Sequence, residues 1–206
     1  MRISVARFAY YLILRPHFAD FYRRYPDIQL EIDISENLDD MITDGFDVGI
    51  RFGDRLGEQY IARQLLPPMQ LGLYAAADYL AQHGTPQSLQ DLTAHRLIGY
   101  RFTTANQVAQ LTLQNNGQPL TITMPMPLIT NDIDVVADGI KQAVGLGRLF
   151  TKVAEQRADY AELVPVLPQH WLNSPPLYLY YAKGSQKAKR VGVLIDFLVE
   201  KCGKAE

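Results

Sequence analysis

The chain has 206 residues, 48% of them hydrophobic, with 20 Lys+Arg against 22 Asp+Glu for a formal net charge of −2. That apolar content can bury one bilobed core or two small ones, and the slightly acidic balance argues against a chain that grips nucleic acid by itself. The single cysteine, Cys202, excludes an internal disulfide and a multi-cysteine metal site, and fits a reducing, cytoplasmic setting.

The first elements alternate. A strand is predicted over 2–6 and a helix over 8–25, where Leu14, Phe18, Phe21, Tyr22 and Tyr25 fall at i, i+4, i+7, i+8 and i+11. The apolar run 8–14 follows Arg2 and Arg7 but lacks a small-residue cleavage site, so it reads as helix and not as a secretory signal. No stretch is long and apolar enough to span a bilayer. Ile28, Leu30, Ile32 and Ile34 alternate with Gln29, Glu31 and Asp33, the period of a strand over 28–35. Ser35 and Asn37 can cap a helix over 37–44 with Leu38, Met41 and Ile42 on one stripe, and Gly45 can stop it. Phe46, Val48, Ile50 and Phe52 supply a strand over 46–52. This β-α-β-α-β order implies a mostly parallel sheet covered by helices. Strands over 60–66 and 69–76 flank the rigid turn Pro67-Pro68.

A second unit is expected from Ala77. A helix over 77–83 ends at Gly84, and strands over 96–101, 109–115 and 120–126 follow. Asn115-Asn116-Gly117 marks a hairpin between the last two, because Asn and Gly accept positive φ in a tight turn. A helix over 132–144 carries Ile133, Val136, Ala137, Ile140 and Val144 on one stripe; strand 147–150, helix 151–160 and strand 163–167 complete the unit. Ser174-Pro175-Pro176 marks a crossing, after which Leu177, Leu179 and Tyr181 alternate in a strand and a helix over 188–201 presents Val191, Leu194, Ile195, Leu198 and Val199. The division expected is 1–76 plus 178–206 against 77–177. That makes two Rossmann-like α/β subdomains joined by two crossover segments, an arrangement that places a ligand cleft between lobes and hinges at the crossings.

Signals for catalysis are poor. His17, His83, His95 and His170 sit on separate elements with no helical metal-ligand spacing, so His83 and His95 read as capping or surface residues. No Gly-x-Ser-x-Gly elbow anchors a hydrolase triad, and Gly145-Leu146-Gly147 follows a helix, not a strand, without the third glycine of a dinucleotide motif. Asp39-Asp40 and Asp132/Asp134 read as helix N-terminal charge. The chain is read as no enzyme, with no metal and no cofactor.

Binding signals are better placed. Arg7 and Phe8 lie at the first strand–helix junction; Ser35, Glu36 and Asn37 at the second; Arg51 to Gly53 at the end of the third strand. In the second unit Arg101, Phe102 and Thr103 follow a strand, and Thr130, Asn131 and Asp132 precede a helix. These are strand C-terminal ends and helix N-termini, where open α/β sheets take small ligands; ordinary capping is the competing reading for each residue alone.

Tyr25-Pro26-Asp27-Ile28, then Ser35-x-x-Leu38, then Asp44-Gly45-Phe46-Asp47-Val48-Gly49-Ile50-Arg51-Phe52-Gly53 resembles the effector-binding domain of LysR-type transcriptional regulators. Leu80 to Pro86 with Asp91-Leu92 and His95-Arg96, then Asn131-Asp132, Gly145-Leu146-Gly147, Leu163 to Pro168 and Ile195 to Leu198 follow in the family's order, so the resemblance covers residues 1–206. It implies two subdomains of the type II periplasmic-binding-protein kind. It also implies an effector pocket lined from Arg7, Phe8, Ser35, Glu36, Arg101, Phe102 and Ile129 to Asn131, with Arg148 added from the strand after Gly-Leu-Gly. Many members carry a small hydroxyl residue where Arg7 stands and an aliphatic one where Arg148 stands. Two arginines there favour a small anionic effector, or else pair internally with Glu36 or Asp132.

The resemblance further implies a homo-oligomer, dimer or tetramer. DNA contact would be made only through an N-terminal winged helix-turn-helix not present in this sequence, with no membrane partner. The expected function is therefore effector sensing and oligomerisation within a LysR-type regulator. The alternative is a standalone cytoplasmic solute-binding protein of the same fold.

Overall fold

The computed structural model describes residues 1–35, 44–53, 59–102, 106–156, 160, 162–184 and 188–203. The chain forms two compact units, Met1–Met69 with Pro175–Glu206, and Gln70–Ser174.

The first unit is built on strand β1 (Arg2–Val5), which pairs in parallel with both β2 (Glu31–Ile34) and β3 (Val48–Phe52). The segment between β1 and β2 carries the expected apolar stripe, yet it is not one regular helix. It runs as α1 (Arg7–Ala9), a π-helical stretch Tyr10–Leu14, a 3-10 turn Arg15–His17 and α2 (Phe18–Arg24). Pro16 has no N–H to donate and its ring crowds the preceding turn, so the i→i−4 ladder breaks into three geometries there. Phe8, Leu12, Ile13, Leu14 and Phe21 are buried all the same. The helix expected over 37–44 lies almost wholly outside the described residues. On β2 the alternation is blunted, and Ile34 is 38% exposed because β2 is an edge strand. β4 (Tyr60–Leu66) completes this half of the chain.

The expected boundary at 76/77 moves to 69/70. β5 (Gln70–Ala76) pairs antiparallel with strands of the second unit, not with β4. Pro67-Pro68 explains the change: two residues without amide donors end the first sheet's ladder there.

In the second unit α3 (Ala77–His83) ends at Gly84, whose φ of +83° a β-carbon would oppose. The 3-10 turn Asp91–Ala94 leads to β6 (Ile98–Phe102) and the two-residue β7 (Gln107–Val108). β8 (Leu111–Asn115) and β9 (Gln118–Ile122) form the expected hairpin, with Asn116 and Gly117 both at positive φ. β9 ends at Ile122, short of the expected 126. β10 (Leu128–Thr130) lies parallel to β6, and α4 (Ile133–Lys141) follows, three residues shorter at its C-terminal end than the pattern suggests; Ala143 takes a φ of 58° just beyond it. β11 (Gly147–Phe150), α5 (Thr151–Gln156), β12 (Leu163–Pro165) and β13 (Leu172–Asn173) finish the unit. β11, β12 and β13 all pair with β5, while a parallel bridge between Leu97 and Leu146 ties the entry of β11 to that of β6. Leu73, Leu92, Leu97, Leu111, Leu113, Leu146 and Val166 pack together as the core.

The chain then returns to the first unit. β14 (Leu177–Ala182) inserts antiparallel between β3 and β4, giving the order β2-β1-β3-β14-β4. α6 (Lys189–Cys202) buries Val191, Leu194, Ile195, Phe197 and Leu198. Phe197 meets Phe21 edge-on at 5.1 Å, and Arg24 binds Glu200 at 3.0 Å, so the last helix closes on the first helical segment.

Candidate functional site

In the first unit the parallel register brings three strand ends to one edge, since Val5 stands beside both Ile34 and Ile50. Arg7 and Phe8 open α1 directly above β1. Ser35 leaves β2 with its N–H donated to the Val5 carbonyl at 3.1 Å. Phe8 is buried and stacks on Phe52 with ring centroids 5.0 Å apart and planes 14° from parallel. It is therefore a wall of the junction, while the half-buried Arg7 and Ser35 remain partly accessible. Glu36 and Asn37 lie outside the described residues. Arg51 is buried within the sheet, with Nη2 donating to Ser4 Oγ at 2.8 Å and Nη1 to the Ile50 carbonyl at 2.8 Å.

In the second unit β10 and β6 run side by side with Thr130 opposite Tyr100. Arg101, Phe102, Thr130 and Asn131 therefore collect at adjacent strand ends. Several are already engaged. Arg101 donates to Asn106 Oδ1 at 3.1 Å and to its carbonyl at 3.3 Å, holding the turn into β7. Thr130 Oγ1 accepts the Asp132 N–H at 3.1 Å, and Asp132 Oδ1 accepts the Asp134 N–H at 2.8 Å, so these two build the N-terminal cap of α4. Phe102 packs edge-on against Tyr100 at 5.5 Å. Asn131, between the capping residues, is exposed. Thr103 lies outside the described residues.

Arg148 differs from the others. It stands on β11 opposite Leu73, a fully buried core residue, so both side chains project from one face of the sheet. Nη1 reaches the Gln110 carbonyl at a long 3.4 Å, and Nε is buried with no acceptor. Burial pushes its pKa down to about 10. A guanidinium that has lost water without gaining a carboxylate is short of acceptors, which an incoming anion supplies. The sequence marked Arg148; its contact with Gln110 had no signal, because that carbonyl approaches through the fold of the β8–β9 hairpin.

The histidines correct the sequence reading in part. His95 is neither a cap nor a surface residue but 4% exposed, with its ring 5.8 Å from Tyr79 and Nδ1 without a partner. Burial, then the nearby His83, lowers its pKa, against an opposing pull from Asp91. Tyr79 accepts the Arg96 N–H at 3.0 Å and its ring packs at a tilt against His83, with centroids 4.5 Å apart. Gly145-Leu146-Gly147 is a packing device: a Cβ on Gly145 would sit 2.7 Å from the Arg96 carbonyl oxygen, and one on Gly147 2.7 Å from Ile140 Cδ1. Among the described residues no three His, Cys, Asp or Glu gather as metal ligands, and no helix is long and apolar enough to cross a membrane.

Comparison with known proteins gives a consistent result. The family model described as "LysR substrate binding domain" matches residues 1–203. The chain is similar to the HTH-type transcriptional regulator PgrR of Escherichia coli, 25% identical over 198 residues, covering 96% of this chain and 66% of PgrR. It is also similar to the HTH-type transcriptional regulator CrgA of Neisseria meningitidis, 28% identical over 193 residues, covering 93% of this chain and 63% of CrgA. The chain thus spans just under two thirds of these curated relatives. The solved regulatory domain of CrgA superimposes with a TM-score of 0.83 at 25% identity, over 98% of both chains.

Proposed function

The chain belongs to the LysR substrate-binding domain family, with its type II periplasmic-binding-protein-like fold, and on that premise we propose that it senses a small anionic metabolite and transmits its presence to a DNA-binding domain through oligomerisation. The observation that carries the ligand's charge is Arg148, whose buried Nε lacks an acceptor and whose other contact is a long one. Arg7, Phe8 and Ser35 from the first unit, and Arg101, Phe102, Thr130 and Asn131 from the second, are the residues proposed to surround the effector; Glu36 and Thr103 complete the set from the sequence. Arg7 supplies positive charge at the first strand–helix junction, and Ser35 and Asn131 supply orienting hydrogen bonds. Binding that favours one of two arrangements of the units alters subunit packing and hence the placing of the DNA-binding heads. The relatives' names as HTH-type regulators support the DNA link.

A thermal-shift screen of small carboxylates and aromatic acids tests the proposal. At least one acid should raise the melting temperature of the chain. Arg148→Met should abolish that shift while raising the stability of the unliganded chain by about 1 kcal/mol, because it removes a poorly satisfied buried cation. Arg7→Ala should weaken the same acid by about 1.5–3 kcal/mol. An acid that protects Arg148→Met and Arg7→Ala as well as the parent chain overturns the placement.

A further inference from the structure

A groove of about 380 Å³ lies wholly within the first unit, lined by Arg63, Tyr181, Gly192, Ile195, Asp196 and Val199. Its wall is one stripe of α6, since Gly192, Ile195, Asp196 and Val199 stand at i, i+3, i+4 and i+7. Its floor is the edge of the five-stranded sheet. Arg63 pairs with Leu179 and Tyr181 with Ile61 in the β4–β14 ladder, so all four side chains share the face that α6 covers. Gly192 adds no side chain to that wall. The groove is not the strand-end site. Tyr180 stands opposite Gly49, and Tyr181 lies one residue further from the Phe52 end of β3, away from Arg7 and Ser35.

Three polar groups in this groove are unengaged. Arg63 and Asp196 are exposed, and among the described residues neither side chain makes an ion pair or hydrogen bond. Tyr181 is 3% exposed and its hydroxyl makes no hydrogen bond to a described residue either. That oxygen is not a buried orphan, so the small part of the side chain that meets solvent does so at the groove. A guanidinium, a carboxylate and a phenol around aliphatic walls from Ile195 and Val199 is the composition of a small-molecule site: mostly apolar, with a few polar groups to fix orientation.

We propose that this groove is a second ligand site, separate from the effector site, and that it takes a small zwitterion with an apolar tail, the α-amino acid class. The ligand's carboxylate meets Arg63, its ammonium meets Asp196, the Tyr181 hydroxyl bonds the carboxylate, and the tail lies on Ile195 and Val199. One charge of each sign distinguishes this site from the cationic surroundings of Arg148 and Arg7.

The test is a titration of the ¹⁵N-labelled chain with L-leucine, 4-methylpentanoate and 3-methylbutylamine. These probes share the branched tail and differ only in which charged ends they carry. L-Leucine should shift the amides of Tyr181, Gly192 and Asp196 in a saturable way, with each singly charged analogue at least about tenfold weaker. Asp196→Asn should weaken L-leucine about tenfold and leave 4-methylpentanoate unchanged, while Arg63→Gln should weaken both. Both positions are exposed, so the fold is retained, and the spectra of the free variants verify it. Equal binding of all three probes, shifts confined to amides outside the groove, or no saturable shift overturns the proposal. None of these results bears on an acid that acts through Arg148.

Discussion

Arg148 and His95 are both ionisable groups that the fold has stripped of water without fully supplying partners, and they respond to burial in opposite functional senses. For Arg148 the shortage of acceptors is an opening for an anion. For His95 it is a liability in acid. The lowered pKa of His95 means that the folded chain holds the ring neutral while the unfolded chain still binds a proton near pH 6.5. Its stabilising contribution is therefore intact above pH 6.5 and declines as pH falls below it, at no more than about 1.4 kcal/mol per pH unit for one group. His17, also lowered by burial, acts in the same direction. Urea unfolding at pH 7 and pH 5 should show the parent losing stability toward pH 5 and His95→Leu losing less. Parallel losses would mean that His95 titrates normally. At this scale the sequence names candidates but not their partners. Arg101 and Arg148 stand at positions the family resemblance marks, yet Asn106 and Gln110, which occupy them, come from neighbouring turns whose approach no local pattern encodes.

Elements were more legible than contacts, and the failures share a cause. β1, β3, β4, α3, the β8–β9 hairpin and α6 carry strong periodicity or a turn signal, and they form where that signal falls. β7 and β13, two residues each, have no period to read. β5 has the right pattern and goes to the other unit, because alternation specifies a strand without naming its neighbour. Gly145-Leu146-Gly147 illustrates the same limit: its glycines are explained by what presses on them from α4 and from the residue before Leu97. The two should respond differently to the same methyl group. At Gly145 the obstacle is the Arg96 backbone carbonyl beside the Leu97–Leu146 bridge, which cannot yield without opening that bridge. At Gly147 it is the ends of the Ile140 and Val136 side chains. Gly145→Ala should cost about 2–3 kcal/mol and Gly147→Ala about 1 kcal/mol, read by chemical denaturation. The reverse order would mean that α4 is the stiffer neighbour.

For the whole molecule, four of the five exposed large apolar residues among those described fall into two groups. Tyr22 and Ile34 lie on the first unit, on α2 and the edge strand β2; Ile129 and Val135 lie on the second, on the edge strand β10 and on α4, while the fifth, Leu120, stands apart on the β8–β9 hairpin. An edge strand, as β2 and β10 are among the described strands, with an apolar side chain outward is a surface that soluble proteins normally blunt or cover. Two such surfaces on one chain are what a two-fold dimer uses when the first unit of one copy packs on the second unit of the other, because the same contact is then made twice. This supports the homo-oligomer proposed from the family. Ile129→Glu with Val135→Glu places charge on one of the two surfaces, and loss of that surface breaks both symmetric contacts at once. Sedimentation at micromolar concentration should show the parent as a dimer or larger and the double variant as a monomer, with the secondary structure unchanged by circular dichroism because neither side chain is part of the core. A parent that sediments as a monomer, or a double variant that stays dimeric, would place the interface elsewhere and leave β2 and β10 as bare edges.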